Sequence, residues 1–357
     1  MIRRCSYGVG LVLACLLATA APVGGQPPDR IDDPQRHVPE LAGYLPQIRI
    51  HEPIVYQTLA VYPLTLGNFR QTPGDWLTMD QALRRGVLVV TEKGDGGSVP
   101  VVVVRNTSRQ QYVLITSGEL LAGGKQTRTI RQDVIVSPGQ SVYVDVYCVE
   151  KNRWQGGRKF SAASTLVPQS IQQELRRGAD QARIWDEVAR YNLALGGAAA
   201  EGSLDSALKS EEVQDRLAAC RRRVLPEVPE QTVGYIFVNG RRAVGADLFG
   251  RSDLARGLLP KLLDSYAVDC LLRGPKVVPP ANRYANQIAI AFFQQIQRTG
   301  SRRVPTPGSG DGIQPRAGGL LGNGVGLDRR LVHYGVQSGQ RILPLPRPID
   351  QRGTSVR

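Results

Sequence analysis

The residues whose types and spacing could do chemistry lie between Ser117 and Trp154, where charged side chains follow paired glycines. The candidates within this stretch are two carboxylates, three cations, an amide and an indole: Glu119, Glu150, Lys125, Arg128, Arg153, Gln126 and Trp154. An arginine fork matches the oxygens of a phosphate or carboxylate, so the cations and the amide predict a site for an anionic small molecule. Asp247, further along the chain, is a further candidate for this ligand-binding set.

Two other interpretations of these residues stay open. Glu119 and Glu150 could act as acid and base in the hydrolysis of a glycosidic or phosphoester bond. Alternatively, the two carboxylates pair with Arg128 and Arg153 in an ion network that holds the hairpin to the helices. Residues that line one concave pocket would favour binding or catalysis, and scattered residues would favour the ion network.

Common catalytic and metal-binding motifs do not occur in the sequence. The three histidines, His37, His51 and His333, form no pair at helical spacing, and there is no HExxH or CxxC motif. A GxSxG elbow and a GxxxxGK[ST] phosphate loop are also missing. We therefore expect neither a bound metal nor a cofactor, and we expect the cysteines to be buried thiols rather than nucleophiles.

A β-hairpin is predicted to position the candidate residues. Val134 to Val136 and Ser141 to Val149 are β-branched and aromatic runs, and Pro138-Gly139 between them suits a type II turn. In the second run, valines alternate with polar and aromatic residues, so one face should belong to the core. By the same alternation, Gln126 and Arg128 should share a face.

Several short motifs in this region carry a family resemblance. They are Gly118-Glu119, Gly123-Gly124-Lys125-Gln126 with Arg128, Pro138-Gly139, Cys148-Val149-Glu150 with Arg153-Trp154, the run from Val233 to Gly250, and a helix with Leu262, Tyr266 and Asp269. The sequence resembles the ADP-ribosylglycohydrolase- and rhodanese-phosphatase-associated protein domain family over roughly residues 45 to 340. The family name records gene association, so the resemblance implies a shared fold and leaves the reaction, if any, open.

The order of the remaining patterns predicts an α+β fold. Short alternating strands joined by turns dominate as far as Trp154, and apolar residues then recur at three- and four-residue spacing between Gln169 and Leu225. We expect an antiparallel β-sandwich-like or double-sheet core with helices packed on one side. One domain should cover residues 45–299, completed by a strand near 331–336.

The two ends of the chain have different compositions from the predicted domain. Residues 1–20, with Arg3-Arg4, an apolar run and Ala18-Thr19-Ala20, are typical of a signal peptide, and lipidation at Cys15 is the alternative. The mature chain would then be extracytoplasmic: periplasmic, at the cell surface or secreted. Residues 21–44 suggest a Pro-rich spacer, and residues 300–330 and 338–357 a mobile Gly/Pro/Arg-rich linker and tail.

The charge of the chain is strongly positive, with a formal net charge of +14. Residues 300–357 contribute nine arginines against three aspartates. A basic tail can hold a protein on anionic envelope polymers or lipids, which allows a scaffold role with a protein partner, although the same composition could serve solubility alone. Specific nucleic-acid binding is not expected, and no segment after the signal peptide is long enough to cross a membrane.

Overall fold

The computed structural model describes residues 36–67, 70–94, 100–195, 202–272, 282–316 and 319–340. The first elements are α1 (Pro39–Ala42), β1 (Ile48–Ile50), β2 (Ile54–Tyr56), β3 (Leu59–Leu66), β4 (Asp75–Thr78), α2 (Met79–Arg84), β5 (Leu88–Glu92), β6 (Val101–Asn106) and β7 (Gln111–Ile115). Next come β8 (Glu119–Gly123), β9 (Arg128–Ile130), β10 (Val134–Val136), β11 (Ser141–Cys148) and β12 (Phe160–Leu166).

Helices predominate in the following part of the chain. They are α3 (Gln169–Arg177), α4 (Gln181–Ala194), α5 (Leu204–Leu208) and α6 (Glu211–Val224); β13 (Gly234–Asn239) and β14 (Arg242–Phe249) come before α7 (Ser252–Leu272) and α8 (Asn282–Thr299). The last elements are β15 (Ser301–Val304), β16 (Asp311–Pro315), β17 (Leu320–Leu327) and β18 (Arg330–Ser338). No helix among the described residues is long and apolar enough to span a membrane.

Six strands form a sheet that curls into a nearly closed barrel, in the order β12-β8-β9-β11-β6-β5. A β-bridge between Thr91 and Lys159 links the first and last of these strands. The predicted alternation of β11 is confirmed, because Val142, Val144 and Val146 are buried whereas their neighbours point outwards. The barrel interior is therefore filled by aliphatic side chains, mostly valine and leucine.

A nine-stranded sheet forms the second layer, and its path runs β1-β3-β13-β14-β18-β17-β16-β15, with β2 paired to β3. Asn239 pairs with Arg242, so Gly240-Arg241 is the two-residue turn of the β13–β14 hairpin, and Gly240 has a φ of +57°, which glycine adopts without strain. On one face of β13, Phe237 stacks on Tyr266 of α7 with 3.7 Å between ring centroids. Residues of the other face pack against α8.

The helices after β12 gather on one side, where α3 to α7 share a large apolar core with both sheets. This arrangement confirms the α+β class and the antiparallel double-sheet core. A third, small sheet, β10-β7-β4, contains one parallel pair, β4 with β7. The predicted hairpin between residues 134–136 and 141–149 is wrong, because β10 pairs with β7 whereas β11 pairs with β6 and β9 in the barrel. Helix α8 lies on the far face of the large sheet, where it covers Ile236 and Val238.

Residues 300–330 correct an expectation from the sequence. We expected a mobile linker, but its described residues form β15, β16 and β17 at the edge of the large sheet. Ile313 and Val325 are fully buried there. Gly322 and Gly324 approach neighbouring strands so closely that a Cβ would clash with the backbone of Gly335 and His333. Glycine thus permits tight pairing in a segment with few apolar side chains.

The expected N-terminal spacer is also partly ordered, since residues 39–42 form α1 and Leu41 is fully buried against the large sheet. The expected strand near 331–336 is the centre of β18, which ends at Ser338 within the expected tail. The predicted signal peptide, Cys15 and the tail beyond residue 340 lie outside the described residues.

Candidate functional site

Arg128 lies at one end of the barrel and points into its interior. It pairs with Cys148 across β9 and β11, so it shares the inward face with Ile130. Its side chain is fully buried. One guanidinium nitrogen, Nη1, donates to Gln126 Oε1 at 3.0 Å and contacts the sulfur of Cys148, so the side chains of Gln126 and Arg128 lie in direct contact.

The carboxylate that faces Arg128 is Glu92, a residue that the sequence analysis missed. Its Oε1 lies 3.6 Å from Arg128 Nη2 and accepts a hydrogen bond of 2.9 Å from the backbone N–H of Lys125. Glu92 is the last residue of β5, where Leu88 and Val90 also point inwards. The alternation of β5 was therefore the signal that could have placed Glu92 inside the barrel.

Glu150 and Arg153 form a second ion pair at the same end of the barrel. Arg153 Nε and Nη2 donate to the two Glu150 oxygens at 2.8 and 2.7 Å, and the backbone N–H of Thr127 donates to Glu150 Oε2 at 2.8 Å. Burial alone would raise the pKa of Glu150, but the hydrogen bonds from Arg153 and Thr127 outweigh it and lower that pKa. Glu150 is therefore an ionised, structurally engaged carboxylate.

Trp154 lies over this end of the barrel and is 44% exposed. Its ring centroid lies 5.5 Å from Lys125 Nζ and 5.4 Å from Arg128 Cζ, so both cations contact the aromatic ring. We call the set Glu92, Lys125, Gln126, Arg128, Glu150, Arg153 and Trp154 the barrel-end cluster. Six of the eight predicted site residues belong to it.

The hydrogen bonding of the barrel-end cluster is incomplete. Within the described part of the chain, Arg128 Nε and Nη2 and Glu92 Oε2 are buried and make no hydrogen bond. A buried guanidinium normally uses all its donors, because an unmade hydrogen bond to a buried charged group is costly. These three atoms therefore keep hydrogen-bonding capacity that the neighbouring described side chains do not use.

Glu119 lies in a different network, at the start of β8. Its Oε2 accepts a 2.8 Å hydrogen bond from the Thr116 N–H, and its Oε1 lies 3.2 Å from Lys261 Nζ of α7. Lys261 also contacts Asp80 of α2. Burial raises the pKa of Glu119, Lys261 lowers it, and Asp80 raises it; the net direction is upward.

Asp247 belongs to a third cluster, buried in the large sheet. His333 lies between two carboxylates, with Nδ1 2.6 Å from Asp133 Oδ2 and Nε2 3.3 Å from Asp247 Oδ1. Tyr266 donates to Asp247 Oδ2 at 3.0 Å. Burial lowers the pKa of His333, but the two aspartates outweigh it and raise that pKa to about 9, so the imidazole is protonated at neutral pH.

The predicted residues therefore separate into three networks rather than one site. Glu119 and Glu150 each hold their own cation, Lys261 and Arg153. Cys148, Cys220 and Cys270 are buried thiols, and burial raises the pKa of Cys220 to about 12. The described residues contain no cluster of three or more His, Cys, Asp or Glu side chains placed to hold a metal ion.

Comparison with known proteins gives one informative result. The model of the ARG and Rhodanese-Phosphatase-superfamily-associated Protein domain matches residues 47–336, which is most of the chain. This confirms the resemblance seen in the motifs around Gly118 to Trp154. Neither a curated protein nor a solved structure matches the chain. The family description records an association and names no reaction.

Proposed function

The chain belongs to the ARG and Rhodanese-Phosphatase-superfamily-associated Protein domain family, and we propose that it is an extracytoplasmic binding domain for an anionic, phosphate- or ADP-ribose-like group. The proposed site is the barrel-end cluster. The extracytoplasmic location is supported by the sequence of residues 1–20, which lie outside the described residues.

The observation that carries this proposal is a buried cation with unused donors beneath a half-exposed indole. Arg128 Nε and Nη2 make no hydrogen bond within the described residues, and the Trp154 ring centroid lies 5.4 Å from Arg128 Cζ. Glu92 balances the charge of Arg128 and fixes its orientation, but at 3.6 Å it accepts no hydrogen bond from Arg128 Nη2. An anionic oxygen that enters beside Trp154 would complete the hydrogen bonding of the guanidinium.

The neighbours of Arg128 would add to recognition. The ammonium of Lys125 lies over the same Trp154 ring and can contact a second oxygen of the anionic ligand. The indole offers a flat apolar face against which a base or sugar can stack. Arg153 bridges Glu150 to the backbone oxygens of Gly124 and Gln155, so it fixes the shape of the site.

The geometry supports binding better than hydrolysis. The two carboxylates considered as an acid and base pair are held in separate networks by Lys261 and Arg153. The pKa of Glu150 is lowered by Arg153 and Thr127 despite its burial, which is the wrong direction for a general acid. The envelope scaffold depends on a basic tail, but five of the nine arginines counted there belong to the described fold: Arg302, Arg303, Arg316, Arg329 and Arg330. The other four lie outside the described residues.

The experiment that tests the proposal is calorimetric titration of ADP-ribose, AMP and ribose 5-phosphate into wild type, Trp154→Ala and Arg128→Lys. Arg128→Lys keeps the charge but loses the planar fork, and Trp154→Ala loses the stacking face. We expect each variant to weaken binding by about tenfold or more, since such contacts contribute roughly 1–3 kcal/mol.

Tyr143→Ala provides a matched control, because Tyr143 is an exposed barrel aromatic with Lys93 Nζ 5.0 Å from its ring centroid. This variant should bind like wild type. Melting temperatures of all variants separate loss of binding from loss of folding. If wild type binds none of the three ligands and Arg128→Lys melts far below it, the cluster is a structural ion network and the proposal fails.

A further inference from the structure

A cleft of about 290 Å³ opens on the large sheet, away from the barrel-end cluster. Its walls are α1 and the residues after it, the chain around Arg70 to Thr72, and the loop between β17 and β18. Nothing in the sequence patterns or in the family description assigns a role to this cleft.

The cleft has a strong excess of positive charge. Arg70, Arg329 and Arg330 line it, and all three side chains are exposed. In the described part of the chain, none of the three forms a salt bridge or a side-chain hydrogen bond with another residue. The acidic lining residue, Glu40, is buried and pairs with Arg303 at 2.7 Å, so it does not neutralise the arginines.

The backbone turn that carries two of these arginines is strained. Leu327 pairs with Arg330, so Asp328 and Arg329 are the two central residues of a tight hairpin loop. Both have positive φ values, +51° and +60°, in a conformation that glycine adopts readily and arginine rarely does. Arg329 therefore projects from a backbone position where glycine would relieve strain.

Hydrogen bonds hold the opposite wall in place. The Thr72 N–H donates to Gly250 O at 3.0 Å, and Thr72 Oγ1 donates to Leu331 O at 2.6 Å. Tyr44 donates its hydroxyl proton to Phe249 O at 2.7 Å. The cleft is thus built on fixed backbone, and its three arginines lie around a preformed concavity.

We propose that this cleft is a second binding site, for a small, multiply charged phosphate compound held by Arg70, Arg329 and Arg330. Three guanidinium groups supply enough forked donors for two phosphate groups, and the volume of the cleft suits a compact ligand rather than a polymer. The phosphate can belong to a soluble ester or to a lipid headgroup. This site shares no residue with the barrel-end cluster, so either can exist without the other.

Two probes test the site: inorganic pyrophosphate, followed by calorimetry, and vesicles that contain cardiolipin, a lipid whose headgroup carries two phosphates, followed by co-sedimentation. The variants are Arg330→Ala, Arg70→Ala and Arg329→Gly in the full chain, and the matched control is Arg105→Ala. Arg105 is an exposed arginine of β6 that does not line the cleft. Arg329→Gly should fold with a melting temperature close to wild type, because glycine accepts the positive φ at this position.

We expect saturable binding of at least one probe by wild type and by Arg105→Ala, with a loss of about tenfold or more in each cleft variant. The probe that binds identifies the source of the phosphate. Trp154→Ala should leave this binding unchanged, which separates the cleft from the barrel-end cluster. The inference is overturned if wild type binds neither probe, or if Arg105→Ala weakens binding as much as the cleft variants do.

Discussion

His333 Nδ1 lies 2.6 Å from Asp133 Oδ2, and this contact joins β18 of the large sheet to the segment between β9 and β10. The other oxygen of Asp133 accepts a 2.8 Å hydrogen bond from the backbone N–H of Ser117. The second ring nitrogen of His333 faces Asp247. A protonated imidazole donates from both nitrogens, so it satisfies both carboxylates at once.

Stability should therefore fall as pH rises through the titration of His333. The folded pKa of His333 is raised from 6.5 to about 9 because Asp133 and Asp247 outweigh the effect of burial. A raised folded pKa gives stability that is complete below the unfolded pKa and lost as pH rises through the folded one. The difference between the unfolded pKa of 6.5 and the folded pKa of about 9 corresponds to roughly 3 kcal/mol in the free energy of unfolding. Urea unfolding at pH values below the first pKa and above the second measures it.

His333→Gln should be less stable than wild type at acidic pH and should lack this part of the pH dependence. His51→Gln is the control, because His51 is exposed and bonds to Thr65 Oγ1. It should keep the wild-type slope. Equal slopes in wild type and His333→Gln would show that this imidazole does not carry the charge assigned to it.

Glu92→Gln should destabilise the barrel, because it leaves the Arg128 guanidinium buried without a counter-charge. We expect a loss of roughly 3–5 kcal/mol in the free energy of unfolding, measured by urea denaturation. Asp145→Asn is the matched control, since Asp145 pairs with Arg131 at 3.8 Å on the exposed face of the barrel. That change should cost less than about 1 kcal/mol. Similar losses in both variants would contradict a buried ion pair.

Much of the fold could be predicted because its signals are local. The Ser141–Cys148 alternation reports which face of β11 is buried, and residues 169–177 form a helix where apolar residues recur at helical spacing. The β13–β14 hairpin has a two-residue turn that begins at Gly240, directly after Asn239, so its signal lies in the turn between its strands. In each of these elements, neighbouring residues carry enough information to fix the backbone.

The pair of Glu150 with Arg153, three residues apart, was part of the ion network considered from the sequence. The pair of Glu92 with Arg128 could not be predicted, because it depends on closure of the barrel. Glu92 meets Arg128 across strands that are neither sequential nor adjacent in the sheet, so no spacing in the sequence links them. The same holds for Lys261 and Glu119, on α7 and β8. The sequence indicates that a charged residue needs an oppositely charged partner if it is buried, but only the tertiary structure determines which residue that partner is.

Gly124→Ala should cost more stability than Gly139→Ala, although both glycines have positive φ, +57° and +73°. A Cβ at Gly124 would collide with the ring of Phe160 in the barrel, whereas a Cβ at Gly139 would meet open space. Both variants carry backbone strain of roughly 1 kcal/mol. The additional loss of stability in Gly124→Ala therefore measures the cost of the contact between the new Cβ and Phe160. Equal melting temperatures for the two variants would mean that the barrel end repacks without cost.

Lys261→Met should make stability depend on the protonation of Glu119. Burial raises the pKa of Glu119 and Lys261 opposes that rise, so removal of the cation should raise the pKa further. A raised folded pKa favours the protonated form, and stability is lost as pH rises through that pKa. We therefore expect a loss of roughly 3–5 kcal/mol at neutral pH, where Glu119 must either stay ionised without its cation or take up a proton, and a smaller loss in mildly acidic buffer.

Lys209→Met is the control for this last prediction, because Lys209 is half exposed and pairs with Asp205 at 2.6 Å. Its effect on the unfolding free energy should be less than about 1 kcal/mol and nearly independent of pH over the same range. Adding Glu119→Gln to Lys261→Met should restore part of the stability at neutral pH, since the stranded charge is gone. A double variant as unstable as Lys261→Met at neutral pH would show that Lys261 acts through packing or Asp80 rather than through Glu119.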